Sequence, residues 1–179
     1  KDFVPVDVAI AAYIANHFDS DPLWLLINAP PSNTKTEIII AMYGLDDVHP
    51  LSTLTEQTLL SGWQDGKQSL IYRLDKKILT MKDFTTVLTM RREARSVILG
   101  QLREIYDGRI RKTFGTGVDV NWEGKVGLIA GVTPAIERYY AVIQALGERF
   151  IQVRMQRGDG VSMAKKAIRA VGNEGTFRK

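Results

Sequence analysis

The sequence predicts an α/β fold with a mainly parallel sheet sandwiched by helices. Three observations carry that expectation. Leu23 to Ile27 is a short continuous apolar run, the pattern of a strand buried on both faces, and Ile78 to Met81 and Val126 to Val132 read as two more buried strands. Segments with apolar residues at helical spacing alternate with those runs along the chain. The 179 residues are 45% hydrophobic and 25% charged, enough apolar side chain for one core of ordinary size.

Taken in order, Asp7 to His17 carries Val8, Ala11, Ala12 and Ala15 at helical spacing, and Phe18 to Pro22 ends it. After the first strand and a loop from Asn28 to Thr34, Lys35 to Tyr43 reads as helix with Gly44 as its stop. Gln68 to Leu74 is a short helix ahead of the second strand. Met90 to Tyr106 is the strongest helix, with Ala94, Val97, Ile98, Leu102 and Ile105 on one face and Gly108 at its end. From Arg109 the period changes to two. Val118, Val120 and Trp122 alternate with polar residues, and Gly115-Thr116-Gly117 sits where an inserted β-hairpin would turn. Ile136 to Leu146 reads as helix and Phe150 to Met155 as the last strand. Residues 1–155 then form one core domain, and 156–179, basic and helical in pattern around Ser162 to Val171, start a C-terminal helical lid or tail.

Composition removes several function classes. There is no cysteine, hence no disulfide, zinc thiolate or Cys nucleophile, and His17 and His49 are too few for a His-rich metal site. No apolar run approaches the ~18–20 residues of a membrane helix, so no membrane partner is expected. No signal-peptide pattern opens the chain, and a cytoplasmic protein is the expectation. Lys1 rather than Met comes first, as in a trimmed or partial chain. Twenty-four Lys and Arg against twenty Asp and Glu leave +4, a balance that permits an anionic partner.

Ala29-Pro30-Pro31-Ser32-Asn33-Thr34-Lys35-Thr36 stands between the first strand and the first long helix. A phosphate loop of the form G-x-x-x-x-G-K-[ST] occupies that setting: backbone N–H groups wrap the phosphates, the Lys reaches the β and γ phosphates, and the hydroxyl holds Mg²⁺. The Lys-Thr pair and the eight-residue span are here, but Ala29 and Thr34 replace both glycines. A β-branched Thr34 in such a nest would be strained, or the loop would take another shape, at about 1–3 kcal/mol. The bland alternative is an ordinary strand-to-helix loop with a solvated Lys.

An acid at the end of a neighbouring strand would hold the Mg²⁺ shell, and Ile78 to Met81 leads to Asp83. Asp83 reads equally as a helix N-cap ahead of Thr85 and Thr86. The next position, where a Glu would polarise the attacking water, is Phe84. The base is then Asp83 through water, another acid such as Glu56, or absent. Thr133, ending the strand Val126 to Val132, is placed to orient water or the γ phosphate, or simply to start a Thr-Pro helix. Arg149 opens the last strand, as a finger acting in trans or as a surface ion pair.

Together these pieces resemble the AAA+ P-loop ATPases, and more narrowly the helicase-like ATPases of phages and mobile elements. The likeness runs through Pro22 to Leu26, Pro30 to Ser32 with Lys35 to Glu37, and His49 to Thr55. It continues through Lys82 to Leu88, Gln101 to Gly108, Gly127 to Pro134 and Leu146 to Phe150. By that resemblance Lys35 and Thr36 match the Walker A residues, Asp83 the Walker B acid and Thr133 the first sensor. Arg149 matches the Arg-Phe pair that supplies a finger in the minichromosome-maintenance type of helicase. The resemblance implies ATP and Mg²⁺ as cofactors, a homo-oligomeric ring, and ATP hydrolysis coupled to DNA handling. Ala29, Thr34 and Phe84 depart from it and weigh against tight nucleotide binding and fast hydrolysis, and Arg169 is a poor match for a second sensor.

DNA would enter at the hairpin, where the resembled motors place one in a central pore. Arg109, Arg111 and Lys112 would track phosphates and Phe114 would stack on a base. The plain alternative is a charged hairpin edge that blocks strand-to-strand aggregation. Two other functions remain open on the residues alone: a nucleotide-binding scaffold subunit that does not turn over, and a DNA-binding module with a vestigial loop.

Overall fold

A computed structural model describes residues 3–31, 34–63, 66–144 and 146–155. The expectations for Ser32, Asn33 and 156–179 lie outside them. The chain forms α1 (Val4–Ala15), β1 (Trp24–Asn28), α2 (Lys35–Ala41), β2 (Val48–Leu51) and a 3₁₀ turn (Leu70–Arg73). There follow β3 (Lys77–Met81), α3 (Thr85–Leu88), α4 (Arg92–Tyr106), β4 (Arg109–Thr113), β5 (Asp119–Glu123) and β6 (Val126–Val132). A 3₁₀ helix (Pro134–Tyr139), α5 (Tyr140–Gln144) and β7 (Phe150–Arg154) close the described chain. No helix among the described residues is long and apolar enough to cross a membrane.

Five strands make one parallel sheet in the order β2-β3-β6-β1-β7, flanked by helices. Every residue of β1 and β6 is buried, which is why both read as unbroken apolar runs. Successive side chains still point to opposite faces and so divide between two cores. Trp24, Leu26, Leu79, Met81, Leu128 and Ala130 pack with α4, the hairpin and the segment after β6. Leu25, Ile27, Ile78 and Ile129 pack with Ala9 and Ala12 of α1 and Ile39 and Met42 at α2.

Connectivity follows from those layers. From β1 the chain crosses over the α2 face to the far edge at β2, and from β6 it crosses the opposite face to β7. Adjacent strands β1 and β6 therefore send their connections to opposite sides. Their carboxyl ends border a topological switch point, where open α/β sheets bind ligands.

Several element expectations need correction. α1 starts at Val4 and buries Pro5, Ala9 and Ala12 rather than Ala11 and Ala15. It is apolar nearly all round, so periodicity alone does not choose a face. β2 was absent from the sequence reading, because His49 and Pro50 interrupt its apolar pattern; as an edge strand it tolerates the proline. α4 turns Leu99 and Gln101 inward and leaves Val97 39% exposed. α2 stops at Ala41, ahead of Gly44, and the expected helix from Ile136 begins as 3₁₀ turns at Pro134.

The hairpin is where the alternation placed it. Arg109 pairs with Glu123, Ile110 with Trp122 and Lys112 with Val120. Its turn closes through Phe114 N–H to Val118 O at 2.8 Å, with Gly117 at φ 78°.

Candidate functional site

Gly131 of β6 is the point around which the candidate residues gather. A side chain there would strike the Lys82 carbonyl and stand 3.3 Å from the Lys35 Cε, so the lysine stem runs along the bare glycine. The Gly131 carbonyl accepts the Phe84 N–H at 2.7 Å, and this bond brings the segment after β3 to the end of β6. On the other side, Ala29 N–H donates to Val132 O at 3.1 Å and carries the β1–β6 ladder one residue into the loop.

Lys35 is 7% exposed, and its Nζ donates to the Ala29 carbonyl at 3.5 Å. A buried ammonium is costly unless it is paired. Among the described residues no carboxylate stands in an ion pair with it. Beside the loop, Asn28 is buried at the end of β1, and its Oδ1 has no hydrogen-bond partner among the described residues. Thr36 is half-buried on the first turn of α2, and Pro30 and Pro31 precede it in the loop.

The expected strain at Thr34 is not there. Thr34 has φ −65° and ψ 1°, an ordinary backbone for a residue preceding a helix.

Asp83, Thr85 and Thr133 form a bonded set. Asp83 Oδ1 accepts the Thr85 N–H at 2.9 Å from the position before Phe84, which is the N-cap residue of α3. The Thr85 hydroxyl accepts the Thr133 N–H at 3.0 Å and lies 3.4 Å from the Thr133 hydroxyl. The sequence does not single out Thr85; its place two residues after Asp83, within reach of an Asp side chain, was the available clue. Phe84 is fully buried, with its ring 5.9 Å from that of Phe150. Position 84 is a core plug with no access to water. Thr36 carries a hydroxyl, and Asp83 a carboxylate of which one oxygen accepts the Thr85 N–H. No group of three or more His or acidic residues able to hold a metal occurs among the described residues.

Arg149 is separate from this cluster. It precedes Phe150, which pairs with Trp24 at the amino end of β1, whereas the loop follows Asn28 at the carboxyl end. One strand length, roughly 13 Å, divides them. The guanidinium is held by Asp107 through two bonds of 2.7 and 3.0 Å and by the Leu146 carbonyl at 2.6 Å. It also lies 5.3 Å from the centre of the Tyr106 ring. The Tyr106 phenol is pushed above its ordinary pKa by burial, then by Asp21, with Arg149 opposing.

The hairpin residues do not form one surface. Arg109 and Arg111 project outward and are exposed, while Ile110, Val120 and Trp122 face the core. Lys112 shares the inward side, with its Nζ 4.9 Å from the Phe114 ring centre. The Phe114 ring is partly buried, packed against the core and the Gly62 backbone. Trp63, which follows Gly62 in the chain and carries no expectation from the sequence, is 71% exposed. Its position among Ser and Gly, outside any apolar period, was the clue to its exposure.

Compared with known proteins, the chain matches no family model and no curated protein sequence.

Proposed function

We propose that the chain is an Mg-ATP-binding subunit of an AAA+-type ATPase, assembled in a homo-oligomeric ring and coupled to DNA handling. The observation that carries this reading is Lys35, a buried ammonium bonded only loosely to the Ala29 carbonyl at the switch point of the sheet. A nucleotide phosphate is the counter-charge such a lysine calls for, since a buried cation is costly while unpaired. In this reading Ala29 to Thr36 surround the phosphates and Thr36 and Asp83 serve Mg²⁺. Thr133 faces the γ phosphate, Arg149 acts on a neighbour's nucleotide, and Arg109 and Arg111 follow DNA phosphates.

One observation favours a second reading, in which the subunit binds nucleotide with little or no turnover. Phe84 fills the core where a water-polarising acid would stand, and Asp83 already spends one oxygen on Thr85. A DNA-binding module with an idle loop is the reading left if nucleotide does not bind at all.

Titration calorimetry with Mg-ATP, on this chain and on Lys35→Ala, is the deciding experiment. Binding that disappears with the lysine supports the nucleotide site, and steady-state phosphate release then separates turnover from binding alone. Equal heats from both proteins, or none from either, would overturn it.

A further inference from the structure

We infer that the hairpin tip and the loop beneath it form a stacking surface for single-stranded nucleic acid, with Trp63 as its aromatic platform. This rests on the DNA part of the reading above and is independent of the nucleotide part.

Trp63 is the most exposed large hydrophobic side chain among the described residues. Its backbone is nevertheless well anchored. Gly62 lies so close to Phe114 that a Cβ would meet the ring at 2.7 Å, and its carbonyl accepts the Thr116 hydroxyl at 3.4 Å. Ser61 is bonded through both its N–H and its carbonyl to the buried Ser69 hydroxyl, at 3.0 and 3.1 Å. The Trp63 N–H donates to the Ser61 hydroxyl at 3.2 Å, and its carbonyl accepts the Gly66 N–H at 3.1 Å. An indole presented on a fixed backbone loses little conformational freedom on binding, which favours affinity.

The surroundings select the partner. Phe114 packs against Gly62, the residue before Trp63, and Lys112 sits over the Phe114 ring, so a cation and an exposed aromatic face share one locale. That pairing fits a base stacked on indole with its phosphate near the lysine, an arrangement tolerant of sequence. A protein-binding hot spot would instead seat its Trp within a contiguous apolar patch. Here the polar Ser61 and Gly62 precede the indole in the chain, the Thr116 hydroxyl is bonded to the Gly62 carbonyl, and Lys112 stands over the Phe114 ring that packs on Gly62. Duplex DNA keeps its base faces stacked inside, so a single strand is the ligand.

The test is direct, because Trp24 and Trp122 are 1% and 5% exposed and leave Trp63 as the accessible fluorophore. Titrating the full chain with an oligothymidine, without nucleotide, should quench its emission. Trp63→Ala should weaken binding about tenfold or more, and Trp63→Phe should recover most of that loss. Lys112→Ala should lower the slope of log affinity against log salt by about one. Binding by the wild-type chain with unchanged emission and an unaffected Trp63→Ala would overturn the stacking surface and leave the outward arginines as the DNA contact. Equal affinity for the duplex would overturn it as well. No binding by the wild-type chain would remove both this inference and the DNA reading, whereas the Lys35 titration reports only on nucleotide. If Trp63→Ala failed to fold, quenching of the wild-type chain would still decide.

Discussion

Thr34 occupies the place where the sequence motif asks for glycine, yet its φ of −65° costs nothing. A glycine there has no strain to relieve and would only add chain entropy at the start of α2. We therefore expect Thr34→Gly to leave the Mg-ATP dissociation constant within about twofold, checked by calorimetry; a tenfold gain would mean that a positive-φ nest forms when phosphate binds. Lys35 differs in kind, since its burial, with the Ala29 carbonyl and Gly131 of β6 beside it, is visible only in the fold. Phe84 shows the reverse balance. Its neighbours in sequence suggest a catalytic position, and its full burial against Phe150 makes it part of the core.

At the scale of elements, β6 is both a central strand and a wall of the candidate site. Its two glycines make room for specific neighbours: Gly127 for the Asn16 amide, Gly131 for the Lys82 carbonyl and the Lys35 stem. Gly131→Ala would drive a methyl into backbone that cannot yield, and should lower stability by about 1–3 kcal/mol, the usual cost of overpacking. Because Lys35 lies alongside, the variant should also bind Mg-ATP at least tenfold more weakly under conditions where it stays folded. Denaturant unfolding and calorimetry on one preparation check both. The hairpin shows how alternation sorts chemistry: the same period that buries Ile110 sends Arg109 and Arg111 outward and places Lys112 with Phe114. A cluster contiguous in sequence is thus divided between two faces.

For the molecule as a whole, Arg149 and the Lys35 loop stand at opposite ends of the sheet, so one subunit cannot apply both to one nucleotide. In the proposed ring, Lys35→Ala and Arg149→Ala should each lose turnover, and mixing the two inactive proteins should restore a measurable fraction by pairing an intact loop with a neighbour's intact arginine. No recovery on mixing, in samples shown to co-assemble, would exclude the role in trans. The Asp107 ion pair, partly exposed, contributes at most about 1 kcal/mol to stability. Breaking it to present the arginine elsewhere is within reach of an assembly contact.

Apolar runs determined β1, β6 and, broken only by the buried Thr80 after Lys77, β3, because a strand buried on both faces has little polar side to show. Alternation determined the hairpin, and glycine its turn and the end of α4. The candidate loop, Asp83 and Thr133 were legible for a related reason: each follows a readable strand. Tertiary structure alone decided which face of the apolar α1 is buried, that the His-Pro segment pairs as β2, and that Lys35 is enclosed. It alone linked Thr85 to Thr133 across 48 positions and packed Phe114 on Gly62, the residue before Trp63. Local sequence constrains backbone and period, whereas enclosure and contact depend on which distant segments the sheet order brings together.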